Sequence, residues 1–292
     1  MQFVLLSILA FGCPTYGVTQ EKVDATREFA EQLWKNNVRK QQGKLAHSET
    51  ANACVIGTMD AKQLESIAKA AERSIIYARK SVGYDKEPIK RENRQMSDRP
   101  YHWEGKLIIF VCKDRGEFAD LFSKIKQVKP DAQEVSVYIH DKDRTFVLLG
   151  PASTSWKLNY EVLAVEWAGA ATLTRRHDPV PRWLAAGFGR MLAYKFDSKY
   201  FAAERAKVPQ WAAQYHARDI MLSDNSTVPS AAQLPLQASV VECLSQSSSF
   251  ADLWFKLLDE TAYRGGNFDS ALSELKINHE AIQIAWKNVL WK

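Results

Sequence analysis

No stretch of the 292-residue chain approaches the length and apolarity of a membrane-spanning helix. The apolar run Phe3 to Phe11 is too short to cross a bilayer and instead fits the hydrophobic segment of an export signal, although no Lys or Arg precedes it. Cysteine is scarce. Cys13, Cys54, Cys112 and Cys243 form no CxxC pair and no Cys/His spacing, which excludes a zinc finger, a dithiol redox motif and a disulfide-built scaffold. The strained G-x-S-x-G turn of serine hydrolases is missing, and Ser245 to Ser249 reads as a polar loop. Gly265-Gly266 follows no strand and carries no phosphate-loop pattern, so it reads as a turn. A concentrated charge of one sign is also lacking. The formal net charge of +5 is diffuse, with Arg39-Lys40, Lys90-Arg91 and Arg175-Arg176 far apart, so nucleic acid is not an expected partner.

With 46% hydrophobic and 25% charged residues, the composition is that of a folded globular protein. The expected division is a signal peptide over 1–17, an N-terminal helix and linker over 18–50, a sheet-bearing subdomain over 51–157 and a helical subdomain over 158–292. Signal removal fits Thr15-Tyr16-Gly17, where small residues stand at the positions a peptidase reads, and the alternative is lipid attachment at Cys13. A bulky Phe11 counts against the lipid. The mature protein is therefore expected to be periplasmic or extracellular, free or lipid-tethered, with no integral membrane segment. Cleavage after Gly17 leaves Cys54, Cys112 and Cys243. Cys54 and Cys112 each lie in an apolar run and read as small buried hydrophobes, with a bridge between them open if the two runs are neighbouring strands.

The fold class is α+β. Lys22 to Lys35 carries apolar residues at helical spacing, and Arg39 to Asn52 is polar linker. Cys54 to Thr58 is a short buried strand, followed by a helix from Ala61 to Lys80 with Asp60 as its cap. After a polar loop over Val82 to Glu104 the unit repeats, with a strand from Lys106 to Cys112 and a helix from Asp114 to Ile125. Alternation over Val135 to His140 and Thr145 to Leu149 predicts a β-hairpin. From there the pattern turns helical: Leu158 to Leu173, Pro181 to Tyr194, Ala202 to His216, Leu236 to Ser245, Phe250 to Leu258 and His279 to Trp291.

A zincin site needs two imidazoles four residues apart on one helical face, with a glutamate after the first to polarise the metal-bound water. In the gluzincin branch a third ligand, a glutamate, comes from a second helix with a stretch of the form P-x-W-x-x-E-G. Here Val165-Glu166-Trp167-Ala168-Gly169 is followed by Pro181-Arg182-Trp183-Leu184-Ala185-Ala186-Gly187. This resembles the gluzincin-type, peptidase MA-like zinc metallopeptidases, proteins exported by some bacteria. The strand-helix pairs, the hairpin before the site helix and the final helix resemble them too, over most of residues 50–292. The resemblance implies a zincin-like fold and aligns Val165 and Gly169 with the two histidines and Ala186 with the third ligand. All three are replaced. Only Glu166 matches, and valine, glycine and alanine have no donor atom to offer a metal.

The implied reading is a pseudopeptidase, a peptide- or protein-binding or structural module, with no metal and no cofactor. Glu166 is then a polar residue at the edge of the helix pair bonded to a backbone group or an arginine, or else a general base for a hydrolase with a non-standard metal set or a metal-independent mechanism. His177-Asp178 reads as a loop cap before Pro179, or as a displaced ligand with its orienter. His216 and Asp219 read as solvated helix residues. Trp183, Trp254 and Trp286 fall on apolar helix faces and are expected in the core. In zincins the hairpin strand borders the groove and pairs with an extended peptide, which assigns binding to Thr145, Val147 and Leu149 as an edge strand. The expected partner is an extended peptide or another exported protein.

Overall fold

The computed structural model describes residues 20–41, 43–84, 105–132, 134–141, 144–151, 159–221 and 228–290. The expected signal peptide and most of the loop expected over Val82 to Glu104 lie outside the described residues. Five strands form one mixed sheet in the order β1-β2-β3-β5-β4: β1 (Ala46–Glu49), β2 (Ala53–Gly57), β3 (Leu107–Val111), β4 (Ser136–Asp141) and β5 (Arg144–Leu149). The inner three run parallel, and β1 and β4 flank them antiparallel.

Both faces of this sheet are covered, so β2 and β3 are buried along their whole length. Because side chains alternate across a strand, Ile56, Phe110 and Leu148 turn to α1 (Gln20–Asn37) and α3 (Arg115–Lys126). Val55, Ile109 and Val147 turn the other way, to α2 (Ala61–Ser81) and α4 (Tyr160–Arg176). Asp60 and Asp114 cap α2 and α3 as their positions predict, each accepting from the backbone N–H three residues on. The strand β1 lies inside the stretch read as polar linker. Its sequence, Ala46-His47-Ser48-Glu49, has no apolar alternation, and pairing to β2 holds it in the sheet.

The cysteines do not pair. Although β2 and β3 are neighbours, Cys54 stands opposite Ile108, and Cys112 is four residues further along. At ~3.3 Å per residue that stagger separates them by about 13 Å, beyond disulfide reach. Cys54, Cys112 and Cys243 are free and buried.

The second half is helical and packs on the far side of α4. Ala164, Ala168 and Ala171 of α4 meet the sheet, while Val162, Ala170 and Leu173 join the helical core. That core contains α5 (Arg182–Phe196) and α9 (Ser230–Gln246), with α10 (Trp254–Tyr263), α11 (Phe268–Glu274) and α12 (His279–Leu290) closing it. Trp183, Trp254 and Trp286 are buried in it, as expected. The single helix expected over Ala202 to His216 is broken into α6 (Ala202–Arg205) and α7 (Val208–Ala212), and α8 (Ala217–Met221) follows. Pro209 sits in the first turn of α7, where its missing N–H costs nothing but cannot extend a preceding helix. Conversely α9 starts at Ser230 rather than Leu236 and carries Pro235 inside it. No helix among the described residues is long and apolar enough to cross a membrane.

Candidate functional site

The two helices that carry the Val165 to Gly189 pattern, α4 and α5, lie against each other, joined by residues 177–181. Asn159 caps α4 by accepting from Val162 N, and Arg175 and Arg176 sit in its last turn, where cations suit the helix dipole. Pro181 occupies the N-cap of α5, and its carbonyl accepts from Leu184 N and Ala185 N. Glycine makes the close approach possible on two sides. A Cβ on Gly189 would stand 2.2 Å from the Glu166 carbonyl oxygen of α4, and one on Gly187 would stand 2.8 Å from the Gln237 backbone of α9.

The positions aligned with metal ligands carry no donor side chain, and packing closes on Gly169 most tightly. Val165 is buried, and its carbonyl accepts from the Ser74 hydroxyl of α2 at 2.7 Å. A Cβ on Gly169 would meet Leu192 Cδ1 at 2.6 Å and Ser74 Oγ at 3.3 Å, so the space a side chain needs is occupied. Ala186 is half-buried and lies one helical turn before Arg190, on the flank of α5 that Glu166 faces. Val165 and Gly169 thus share surroundings with Leu192 and Ser74, and Ala186 does not join them.

Glu166 is buried rather than at an edge, with 2% of its side chain exposed. Its arginine partner is Arg190. Nη2 donates to Oε1 at 3.3 Å, while Nε stands 3.0 Å from Oε2 off the N–H line, an ion pair rather than an aligned hydrogen bond. The same guanidinium donates from Nη1 to Glu204 Oε1 at 3.2 Å and lies 4.5 Å over the Phe201 ring. Tyr194 donates its hydroxyl to Glu204 Oε1 at 2.6 Å. Burial pushes the Glu166 carboxyl above the usual carboxylate range against the opposing charge of Arg190. For Arg190 burial acts downward, but the Glu166 and Glu204 charges outweigh it and the net shift is upward. Burial and the Glu204 carboxylate raise the Tyr194 phenol. The signal for this network was an arginine in the middle of an otherwise apolar helix, one turn after the third-ligand position.

No protein-family model matches the chain, and no curated protein matches it.

The remaining sequence candidates separate. His177 is buried at the α4 C-cap and bonds from Nε2 to the Val82 carbonyl at 2.9 Å, tying the end of α4 to the end of α2. His216 is held by its own backbone, whose N–H donates to Asp219 at 3.2 Å. Among the described residues no three His, Cys, Asp or Glu side chains gather as a metal-holding group. Thr145, Val147 and Leu149 are not on an edge: β5 lies between β3 and β4, with its backbone paired on both sides. The edge beside α4 is β4. Gly150 N donates to Val135 O, which makes the 135–150 pair hydrogen-bonded and leaves the N–H and C=O groups of Ser136, Tyr138 and His140 facing away from β5. The Tyr138 ring stacks on Trp167 of α4 at 6.1 Å.

Proposed function

We propose that this protein is an exported pseudopeptidase of gluzincin-like fold that binds an extended peptide, or an extended segment of another exported protein, without cleaving it. The observation that carries the proposal is the occupied space at Gly169, where Leu192 and Ser74 stand against the position of the missing side chain. The non-catalytic reading is further supported by Glu166, whose buried carboxylate is engaged by Arg190. A hydrolase using Glu166 needs a water at that carboxylate and a group to stabilise the oxyanion. The peptide groove is assigned to β4, correcting the strand assigned from the sequence. Its outward backbone groups offer main-chain hydrogen bonds to an added strand, and Tyr138 on Trp167 supplies an aromatic floor toward α4.

The test combines metal analysis of the purified protein with hydrogen exchange in the presence of a library of blocked octapeptides. Slower exchange of the outward amides of Ser136, Tyr138 and His140, with no cleavage, is the expected result. Ser136→Pro removes one outward donor without touching the β5 ladder, so it weakens peptide binding and leaves the thermal midpoint nearly unchanged. Stoichiometric zinc with chelator-sensitive cleavage of the library would falsify the proposal.

A further inference from the structure

On another flank of α4, away from β4 and beside the same Val165, Ser74 and Leu192, helices α2, α4 and α5 border an open pocket of about 250 Å³. Val165, Leu192, Phe196 and the Tyr77 ring line it with apolar surface, and the exposed side chains of Arg73 and Lys195 stand at its mouth. Two contacts between its lining residues tie α2 to α5. The Arg73 guanidinium lies 4.9 Å over the Phe196 ring, and Lys195 donates from Nζ to the Tyr77 hydroxyl at 3.1 Å. Both cations are thereby held in place, yet neither has a carboxylate partner among the described residues. Glu72, next in sequence to Arg73, is taken by Thr50 and Asn52, and Asp197 accepts from the N–H groups of Lys199 and Tyr200. Arg73 keeps its whole fork of N–H donors and Lys195 two more of its three.

Two oriented cations with spare donors over an apolar floor are complementary to a carboxylate on a short apolar tail: the head accepts charge-assisted hydrogen bonds and the tail loses water-exposed surface. The volume lies below the ~300–1,000 Å³ of pockets that take drug-sized ligands, which limits the tail to a few carbons. We infer that this pocket binds a small free monocarboxylic acid with a short acyl chain. The ligand is a free acid and not a peptide end, because the small volume leaves little room for a peptide backbone behind the carboxylate. The inference stands independently of the peptide groove.

Calorimetric titration of the full chain with hexanoate tests it, with acetate, hexylamine and acetyl-glycyl-leucine as comparison probes. Hexanoate binds saturably, acetate at least about tenfold more weakly and hexylamine not at all. The double variant Arg73→Glu/Lys195→Glu lowers hexanoate affinity at least about tenfold while unfolding stays cooperative, its thermal midpoint reduced only by the loss of two surface contacts. Absence of saturable hexanoate binding, equal affinity for hexylamine or acetate, or an unaltered affinity in the double variant each overturns the assignment. Tighter binding of acetyl-glycyl-leucine than of hexanoate overturns the free acid in favour of a peptide end. Peptide protection at β4 is read separately and moves with none of these outcomes.

Discussion

At the scale of single residues, the glycines of the helix pair mark where packing admits no side chain. At Gly189 an added methyl would run into backbone, the Glu166 carbonyl at 2.2 Å, which cannot move without shifting α4. At Gly169 the nearest obstacle is a Leu192 methyl at 2.6 Å, the free end of a side chain. Gly189→Ala therefore destabilises by about 3 kcal/mol or more and Gly169→Ala by about 1–2 kcal/mol. Urea midpoints measure both, and equal losses would contradict the distinction between backbone and side-chain obstruction. The thiols provide a second residue-scale outcome. Burial pushes Cys54 up to about 12 and Cys243 up to about 11, and holds Cys112 well above the ordinary thiol range. With so little thiolate at pH 8, all three resist iodoacetamide in the native protein and label once urea exposes them, a contrast that peptide mass mapping reads directly. These folded values lie above the unfolded ones, so their contribution to stability is complete below the ordinary thiol range. It is lost as pH rises through about 11–12.

At the scale of elements, α4 and α5 are joined by one buried cation as well as by glycine contacts. Removing Arg190 leaves the Glu166 carboxylate without a counter-charge in the interior, at a cost of about 3–5 kcal/mol, whereas Glu166→Met/Arg190→Met together restores most of it. The pH dependence of the Arg190→Met single variant has a definite sign. Glu166 already titrates above the usual carboxylate range through burial, and loss of the opposing charge raises it further. The native state then holds that proton more tightly than the unfolded chain does. Stability is greatest below the ordinary carboxylate pKa and falls as pH climbs through the folded one. Denaturation at pH 4 and pH 7.5 should show the smaller deficit at pH 4, and a larger deficit there would reverse the argument.

Elements were legible where burial left a pattern. The apolar runs of β2 and β3, the aspartate caps of α2 and α3, and the tryptophan-bearing faces of α5, α10 and α12 all appear where the residues place them. The strand β1 had no pattern to read, because its place depends on a partner distant in space and not on its own side chains. The β4–β5 hairpin was legible, yet which of its strands is the edge was not. That depends on β5 pairing with β3, a contact between segments far apart in sequence. The same holds for Glu166: a backbone group or an arginine was readable as its partner, and the choice of Arg190 required the crossing of two helices.

For the whole molecule, the proposed resemblance is tested by asking whether α4 and α5 can be made to hold zinc. Substituting Val165→His, Gly169→His and Ala186→Glu rebuilds the linear motif, but the linear motif is not the site. An imidazole at position 169 has to displace Leu192, which belongs to the core joining α5 to the rest of the helical half, and Ser74, whose hydroxyl holds the Val165 carbonyl. The guanidinium of Arg190 stands on Glu166, the residue a metal-bound water would need, and its positive charge opposes a dication beside it. Moving Arg190 in turn takes from Glu204 its guanidinium donor and leaves it the Tyr194 hydroxyl. The triple variant should therefore take up far less than stoichiometric zinc and melt below the wild type. Stoichiometric zinc at an unchanged melting temperature would mean that the helix frame is still open and that only its ligands are missing. The expected failure would mean that packing among α2, α4 and α5 leaves no room for a metal site between the helices.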